Sequence, residues 1–261
     1  MYNAGKIKSK SFAMCFSHAD KVNKDGSSAG LLTLGGADER IHKSPMVYAQ
    51  NHDVNGWYSI YVAGMYLKYQ KDGDEEKDAK VVKLNLDVQK VNENSVIVDS
   101  GTTESFVPSS IEAPFKEAFK ELMDFDFDSS VAATTSDDED GINPMEDYPT
   151  IMIQLKAAIH VKDDELMDDN GHPLDGLVGR LDLDAPNDVI LEIPPQNYML
   201  LKKSSNTYVN RFHMNENSSF GVLGANAMYG HDLLFDTDKN RIGFAKSSCE
   251  YSLLAEDAAD R

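Results

Sequence analysis

Asp99 is the residue in this sequence that is best placed to do chemistry. It lies in the stretch SVIVDSGTT, where three apolar residues lead into Asp99 and a turn through Ser100 and Gly101 follows. A carboxylate is expensive to bury unless donors surround it. The Gly101 N–H is one such donor, and hydroxyl donors come from Ser100, Thr102 and Thr103. The pattern predicts a stabilised carboxylate at the end of a strand, although an isolated Asp-Ser-Gly more often forms an ordinary turn.

Two elements are predicted to position this carboxylate. The apolar residues 96–98 predict a strand that is buried on both faces. After Pro108, the segment SSIEAPFKEAFKELMD predicts a helix, and Ser109 with Glu112 forms a capping-box signature at its start. Apolar residues then recur on one helical face, at Ile111, Phe115, Phe119 and Leu122.

Most of the chain has the pattern of short strands. Apolar runs are separated by Gly, Asn and Asp. These runs are 31–36, 56–67, 80–88, 95–101, 149–155, 188–194, 220–225, 231–237 and 241–246. The sequence therefore predicts an all-β fold.

The charge of the chain excludes some partners. The 261 residues carry a formal net charge of -19, which argues against nucleic acid as a partner. The sequence contains no run of about 18 apolar residues, the length that would predict a helix spanning a membrane. Much of the charge lies in two acidic insertions, residues 124–147 and residues 163–184, which we expect to be solvated, mobile loops.

Three stretches of the chain resemble, in order, the pepsin-like aspartic proteases (family A1). VIVDSGTT followed by a Pro-Ser-Ser helix is similar to the second active-site motif of that family. FGVLGANAMYGHDLLFDTDKNRIGFAKSSC is similar to its C-terminal end, where Val222, Leu223 and Gly224 match the strand threaded beside the active-site loop. IKSKSFAMCF followed by GLLTLGGAD is similar to the last strands of its first lobe.

The resemblance implies a pepsin-like fold in which the C-terminal lobe is largely complete and most of the N-terminal lobe is absent. Residues 1–38 would be a remnant of the N-terminal lobe and interdomain strands. Residues 39–250 would form the C-terminal catalytic lobe with its two insertions, and residues 251–261 a tail.

The family pattern assigns a role to each residue of the Asp99 motif. Asp99 would be one of two catalytic aspartates that share a proton and activate a water, without a cofactor. The Ser100 hydroxyl would brace the two active-site loops. Gly101 and Thr102 would hydrogen-bond the carboxylate, and Thr103 would lie beside the substrate backbone.

The chain supplies only one of the two aspartates that this chemistry requires. Asp99 lies in the only Asp-Ser/Thr-Gly triplet, so the chain alone is predicted to be inactive. Its predicted partners are a peptide or protein substrate and the missing N-terminal lobe. Two alternatives stay open: a non-catalytic binding or inhibitor protein of this fold, and a single-lobe homodimer that pairs two copies of Asp99.

The two cysteines bear on the cellular compartment. Cys15 and Cys249 could be unrelated buried thiols. Similar positions are disulfide-linked in beta-secretase-like members of the family, so the resemblance implies a bridge between them. A bridge and a glycosylation sequon at Asn217 favour a secretory, extracellular or lysosome-like location. MYNAGKIKSKSFAMCF, however, does not have the pattern of a signal peptide.

Other motifs give no reason to expect a metal or a cofactor. DTDKNRIG begins like a calcium loop but lacks its glycine and closing glutamate, so we predict a hairpin turn. The seven histidines show no paired ligand spacing. Trp57 is predicted to pack against a sheet.

Overall fold

The computed structural model of this chain consists mainly of short strands. The residues it describes are 1–17, 30–52, 56–71, 79–133, 143–158, 166–168, 170–171, 173–214 and 220–250. Strands outnumber helices among them, which confirms the predicted all-β class. How much of an N-terminal lobe the protein has stays a prediction.

The strands of the described residues are short, from two to eight residues. In chain order they are β1 (Ser11–Phe16), β2 (Gly30–Leu34), β3 (Val47–Gln50), β4 (Ser59–Ile60), β5 (Val62–Tyr69), β6 (Lys80–Lys83), β7 (Val96–Val98), β8 (Ser105–Phe106), β9 (Ser130–Ala132), β10 (Thr150–Leu155), β11 (Val189–Ile193), β12 (Met199–Lys202), β13 (Thr207–Asn210), β14 (Phe212–His213), β15 (Gly221–Leu223), β16 (His231–Asp236) and β17 (Arg241–Lys246).

The helices are single turns apart from one of 12 residues. They are α1 (Val88–Val91), α2 (Glu112–Met123), α3 (Pro144–Asp147), α4 (Pro195–Tyr198) and α5 (Ala225–Met228), with 3-10 turns at Tyr2–Ala4, Glu39–Ile41, Ser109–Ile111 and Gly179–Leu181.

The chain divides into two compact units, of which the first comprises Met1–Tyr61, Leu155–Ile190 and Met228–Arg261. Its five-stranded antiparallel sheet has the order β2-β1-β16-β17-β3. All six residues of β16 are buried. The DTDKNRIG segment turns between β16 and β17, which confirms the predicted hairpin.

The second unit comprises Val62–Gln154 and Leu191–Ala227. It contains a sheet of order β11-β10-β5-β6, a three-stranded sheet of order β12-β13-β9, and the adjacent strands β14-β8-β15-β7. In this last group β15 runs parallel to β7 and antiparallel to β8, and β14 runs parallel to β8. The domain boundaries expected from the resemblance stay a prediction.

Helix α2 has the predicted buried face but not the predicted cap. Its apolar positions, including Phe115 and Phe119, are buried, and it packs against β5 and β6. Ser109 lies in a 3-10 turn that delays the start of the α-helix, so Ile111 occupies the N-cap position and no side chain caps the helix. The capping-box prediction is therefore wrong.

The first acidic insertion is not a simple solvated loop in its described part. Phe125 and Phe127 lie 5.4 and 5.2 Å from the Phe119 ring. Ser130–Ala132 forms strand β9, which pairs with β13. The aromatic residues between the acids are partly buried against α2, and this is why the expectation of a solvated, mobile loop does not hold for the described part of this insertion.

The second insertion is also partly ordered where it is described. Leu166 and Val178 are buried. The Val178 N–H donates to the Asp188 carbonyl at 2.9 Å, and Leu177 forms an isolated bridge with Val189. The acidic residues therefore flank an apolar segment that joins the core of the first unit.

Trp57 does not pack against a sheet as predicted, because its side chain is 56% exposed. Its neighbour Tyr58 takes the inward position and contacts the rings of Phe12 and Phe235 at 5.8 and 4.7 Å. Successive residues in extended chain point to opposite sides, which directs Trp57 outward.

Candidate active site

Two parallel strands bring Asp99 to its position. All three residues of β7 are buried, and Val98 is paired with Leu223 of β15. The pairing continues one residue further, because the Asp99 N–H donates to the Leu223 carbonyl at 3.0 Å. Asp99 is therefore fixed by backbone hydrogen bonding at the end of a buried strand, with its side chain half-buried.

The turn after Asp99 supplies two donors to its carboxylate. The Gly101 N–H donates to Oδ1 at 2.9 Å, and the Thr102 hydroxyl donates to Oδ2 at 2.7 Å. The Thr102 N–H also closes the turn on the Asp99 carbonyl at 3.3 Å. Each carboxylate oxygen thus has its own donor, an arrangement that stabilises negative charge. Of the four predicted donors, Ser100 and Thr103 do not reach the carboxylate in this structure.

Gly224 lets the loop after Asp99 lie directly on the end of β15. A Cβ atom at this position would lie 2.3 Å from the Glu104 carbonyl oxygen and 2.7 Å from the Thr102 carbonyl oxygen. The next two N–H groups hold the loop, since Ala225 donates to Thr102 at 2.7 Å and Asn226 donates to Thr103 at 3.1 Å. The Val222-Leu223-Gly224 strand therefore lies beside the Asp99 loop.

A buried polar link ties the same loop to β15 and α5. Ser105 is fully buried, and its hydroxyl accepts from the Gly224 N–H at 3.0 Å and donates to Asn226 Oδ1 at 2.7 Å. The Asn226 amide donates in turn to the Arg211 carbonyl at 3.0 Å. Sequence reasoning missed Ser105 and Asn226, because nothing local links residues 121 positions apart.

Comparison with known families accounts for this arrangement of loop, strand and carboxylate. The sequence profile of the eukaryotic aspartyl proteases matches residues 1–247. The chain belongs to the eukaryotic aspartyl protease family. It is also similar to a protein named beta-secretase from Strongylocentrotus purpuratus, with 23% identity over 232 residues. That alignment covers 84% of this chain and 36% of the relative, so the chain spans about a third of the length of the relative.

The disulfide of this aspartyl protease family member joins the pair of cysteines that the resemblance implied. Cys15 of β1 and Cys249, which lies beyond β17, are bonded across 234 residues of sequence. Both are buried and pack with Ile41 and Leu31. The Ser17 hydroxyl donates to the Cys249 carbonyl at 3.0 Å, so side-chain hydrogen bonding also fixes the C-terminal partner of the bridge.

An unpredicted contact between a histidine and an aspartate lies in the first unit of this family member. His42 Nε2 lies 2.8 Å from Asp232 Oδ2, and both side chains are almost fully buried. Asp232 is paired with Cys15 across β1 and β16. The pair thus provides a polar contact for a carboxylate that the sheet buries.

The described residues contain no group of three or more His, Cys, Asp or Glu side chains that could hold a metal ion. In the described part of the chain, no helix is both long enough and apolar enough to cross a bilayer. The Asn217 sequon lies outside the described residues.

Proposed function

We propose that this chain contributes Asp99 as one of the two catalytic aspartates of an aspartic endopeptidase. The observation that supports this proposal is the fixed carboxylate at the end of β7, with one donor on each oxygen. Membership of the eukaryotic aspartyl protease family supports a role in hydrolysis. The assignment of the role to Asp99 is ours.

The chemistry follows from placing a second carboxylate close to Asp99. Two carboxyl groups so close together cannot both be ionised, because their like charges repel each other. The pair therefore holds one proton. The ionised member takes a proton from a water, which attacks the peptide carbonyl, while the protonated member donates to the carbonyl oxygen and a tetrahedral diol forms. The first member then gives its proton to the peptide nitrogen as the C–N bond breaks, and the second takes a proton back from a diol hydroxyl. The products are an amine and a carboxylic acid, and the pair again holds one proton. The hydrogen bonds from Gly101 and Thr102 would keep the Asp99 carboxyl group in one orientation while it takes up a proton and while it releases one.

A second aspartate has to come from outside the Asp99 motif. We propose that an N-terminal lobe supplies it and that this chain alone does not hydrolyse peptides. In that assembly Ser100 would brace the two active-site loops and Thr103 would contact the substrate backbone. The substrate would be a peptide or protein, and the Cys15–Cys249 bridge favours a secretory or endomembrane location.

The test of this proposal is Asp99→Asn in the chain combined with an N-terminal lobe that carries an Asp-Thr/Ser-Gly motif. We expect hydrolysis of peptides at acidic pH, inhibition by statine-type compounds and no hydrolysis by the variant. Asp87→Asn is the control, since Asp87 caps α1 and does not contact the loop. Unchanged turnover by Asp99→Asn would overturn the assignment.

The single-lobe homodimer predicts a different result for the chain alone. Two copies of Asp99 would give hydrolysis that rises with the square of the chain concentration while most of the chain is monomeric. Such turnover by the purified chain, abolished by Asp99→Asn, would replace the two-lobe proposal with the homodimer.

A further inference from the structure

A second carboxylate beside the Asp99 loop makes two short contacts with basic side chains. Glu104 follows Thr103 directly in the chain. Its Oε1 accepts from Arg211 Nη1 at 2.5 Å, and its Oε2 lies 2.6 Å from His213 Nε2. The side chains of Glu104, Arg211 and His213 are 27%, 28% and 24% exposed. Each contact is therefore less screened by water than an ordinary surface ion pair.

The two partners of Glu104 are held firmly by strand β14 and its neighbour β8. Arg211 and His213 flank Phe212, which is fully buried, so the two basic side chains share the opposite face. The Ser105 N–H donates to the Arg211 carbonyl at 3.2 Å. The imidazole of His213 is stacked on the Phe106 ring, with 4.7 Å between ring centres. The backbone positions of Arg211 and His213 are therefore fixed by hydrogen bonding and pairing with β8.

The loop that carries Glu104 is thus held from two sides. On one side, the N–H groups of Ala225 and Asn226 bind the carbonyls of Thr102 and Thr103. On the other side, the Glu104 side chain reaches Arg211 and His213. The Thr102 hydroxyl that binds Asp99 belongs to the segment that these contacts hold.

We propose that Glu104 is a positioning residue for the catalytic loop. By bridging Arg211 and His213, its carboxylate holds residues 102–104 in the position where the Thr102 hydroxyl meets Asp99. The catalytic meaning of this inference rests on the proposed function of Asp99. The structural role of Glu104 does not depend on that proposal, because the loop has the same geometry whether or not the chain is active.

The test uses hydrogen exchange of the full chain with its disulfide intact. Glu104→Gln keeps the shape of the side chain and removes its charge. Because hydrogen bonds to charged groups are stronger than neutral ones, we expect the Ala225 and Asn226 amides to exchange about tenfold faster in this variant. The melting temperature should fall by only a few degrees, because the loss is small against the large unfolding entropy of a chain of this size.

A matched control separates this effect from the general loss of an acidic residue. Glu112 forms an ion pair of similar length but greater exposure with Lys116, at 2.7 Å, on helix α2. Glu112→Gln should leave the exchange of Ala225 and Asn226 unchanged. Exchange of these amides within about twofold of the native rate in folded Glu104→Gln would overturn the proposal, because such a change is below the strength of one charged hydrogen bond.

Variants of Arg211 and His213 test the positioning role of Glu104 if Glu104→Gln does not fold. Arg211→Lys and His213→Gln each weaken one of the two contacts and leave Glu104 in place. Faster exchange at Ala225 and Asn226 in both variants supports the proposal. Native exchange in both overturns it.

Kinetics of the two-lobed assembly separate this inference from the proposed function. Glu104→Gln should lower kcat about tenfold and leave KM almost unchanged, because misplacing the loop affects the reacting groups more than substrate binding. Activity that survives Asp99→Asn would overturn the proposed function, whereas the exchange rates would still decide the role of Glu104.

Discussion

Gly224 shows how closely single residues around Asp99 are fitted together. The two atoms that a new Cβ would meet, at 2.3 and 2.7 Å, are both backbone carbonyl oxygens. A flexible side chain could rotate away from such a clash, but a carbonyl of the Asp99 loop cannot do so without moving the loop.

We expect Gly224→Ala to lower the free energy of unfolding by about 3 kcal/mol, the upper part of the range for overpacked sites. The measurement is urea unfolding followed by circular dichroism. Gly5→Ala is the contrast, because Gly5 has a φ of 64° but no atom within 4 Å of the added Cβ. That change should cost only about 1 kcal/mol of backbone strain. Equal losses in the two variants would contradict the role of close packing at Gly224.

For single residues, the sequence predicted contacts between neighbours in the chain and missed contacts between residues that are far apart in the chain. Asp99 was identified because its donors, Gly101 and Thr102, lie within three residues of it. The partners of Glu104 lie 107 and 109 residues away. No spacing rule links residues that only strand pairing brings together.

Helix α2 and the aromatic residues packed on it form the clearest element-scale feature. Tyr148 lies 5.1 Å from Phe119 and 5.7 Å from Phe127, measured between ring centres. Its hydroxyl donates to the Asp128 carbonyl at 2.8 Å. Burial raises the pKa of Tyr148 to about 12, because the phenolate would lose its hydration among these rings.

The raised pKa of Tyr148 predicts unfolding in alkali. The folded state keeps the proton to about pH 12, whereas an unfolded tyrosine loses it near pH 10. The stabilisation is therefore complete below pH 10 and is lost as the pH rises toward 12, by up to about 3 kcal/mol. Urea unfolding at pH 8 and pH 11 measures about half of this loss, since pH 11 lies midway between the two pKa values.

Tyrosine-to-phenylalanine variants identify the residue that causes the loss of stability in alkali. Tyr148→Phe should reduce the difference between pH 8 and pH 11, although not to zero, because burial also raises the pKa of Tyr198. Tyr2→Phe, at an exposed tyrosine, should leave the difference unchanged. An undiminished difference in Tyr148→Phe would contradict the prediction.

The elements that sequence reasoning predicted correctly are those with a strong apolar period. The buried face of α2 and the runs that became β7, β10 and β16 are of this kind. Residues 199–213 mix polar and apolar side chains, and their three strands were missed. The start of α2 was misplaced because a 3-10 turn takes up Ser109–Ile111, where the capping residue was expected.

At the scale of the whole molecule, the Cys15–Cys249 bridge spans more of the chain than any other link described above. It closes a loop of 234 residues in sequence and lies in a buried cluster. In the chain-entropy account, a link across so long a loop removes more freedom from the unfolded chain than a short one does.

We expect the double variant Cys15→Ala, Cys249→Ala to lose about 5 kcal/mol of stability relative to the bridged chain. The measurement is thermal unfolding with and without tris(2-carboxyethyl)phosphine. The reductant should lower the melting temperature of the native chain and leave that of the double variant unchanged. If full reduction of the native chain did not move its melting temperature, the bridge would contribute nothing to stability.

The length of that loop also sets an order of events during biosynthesis. A ribosome adds about 5 to 20 residues per second, so Cys249 is made roughly 10 to 50 s after Cys15. During this interval the Cys15 thiol has no native partner, and its thiolate can attack any disulfide in its compartment, forming a mixed disulfide and releasing the other sulfur as a thiol. Correct oxidation therefore depends on keeping Cys15 unpaired until Cys249 has been made.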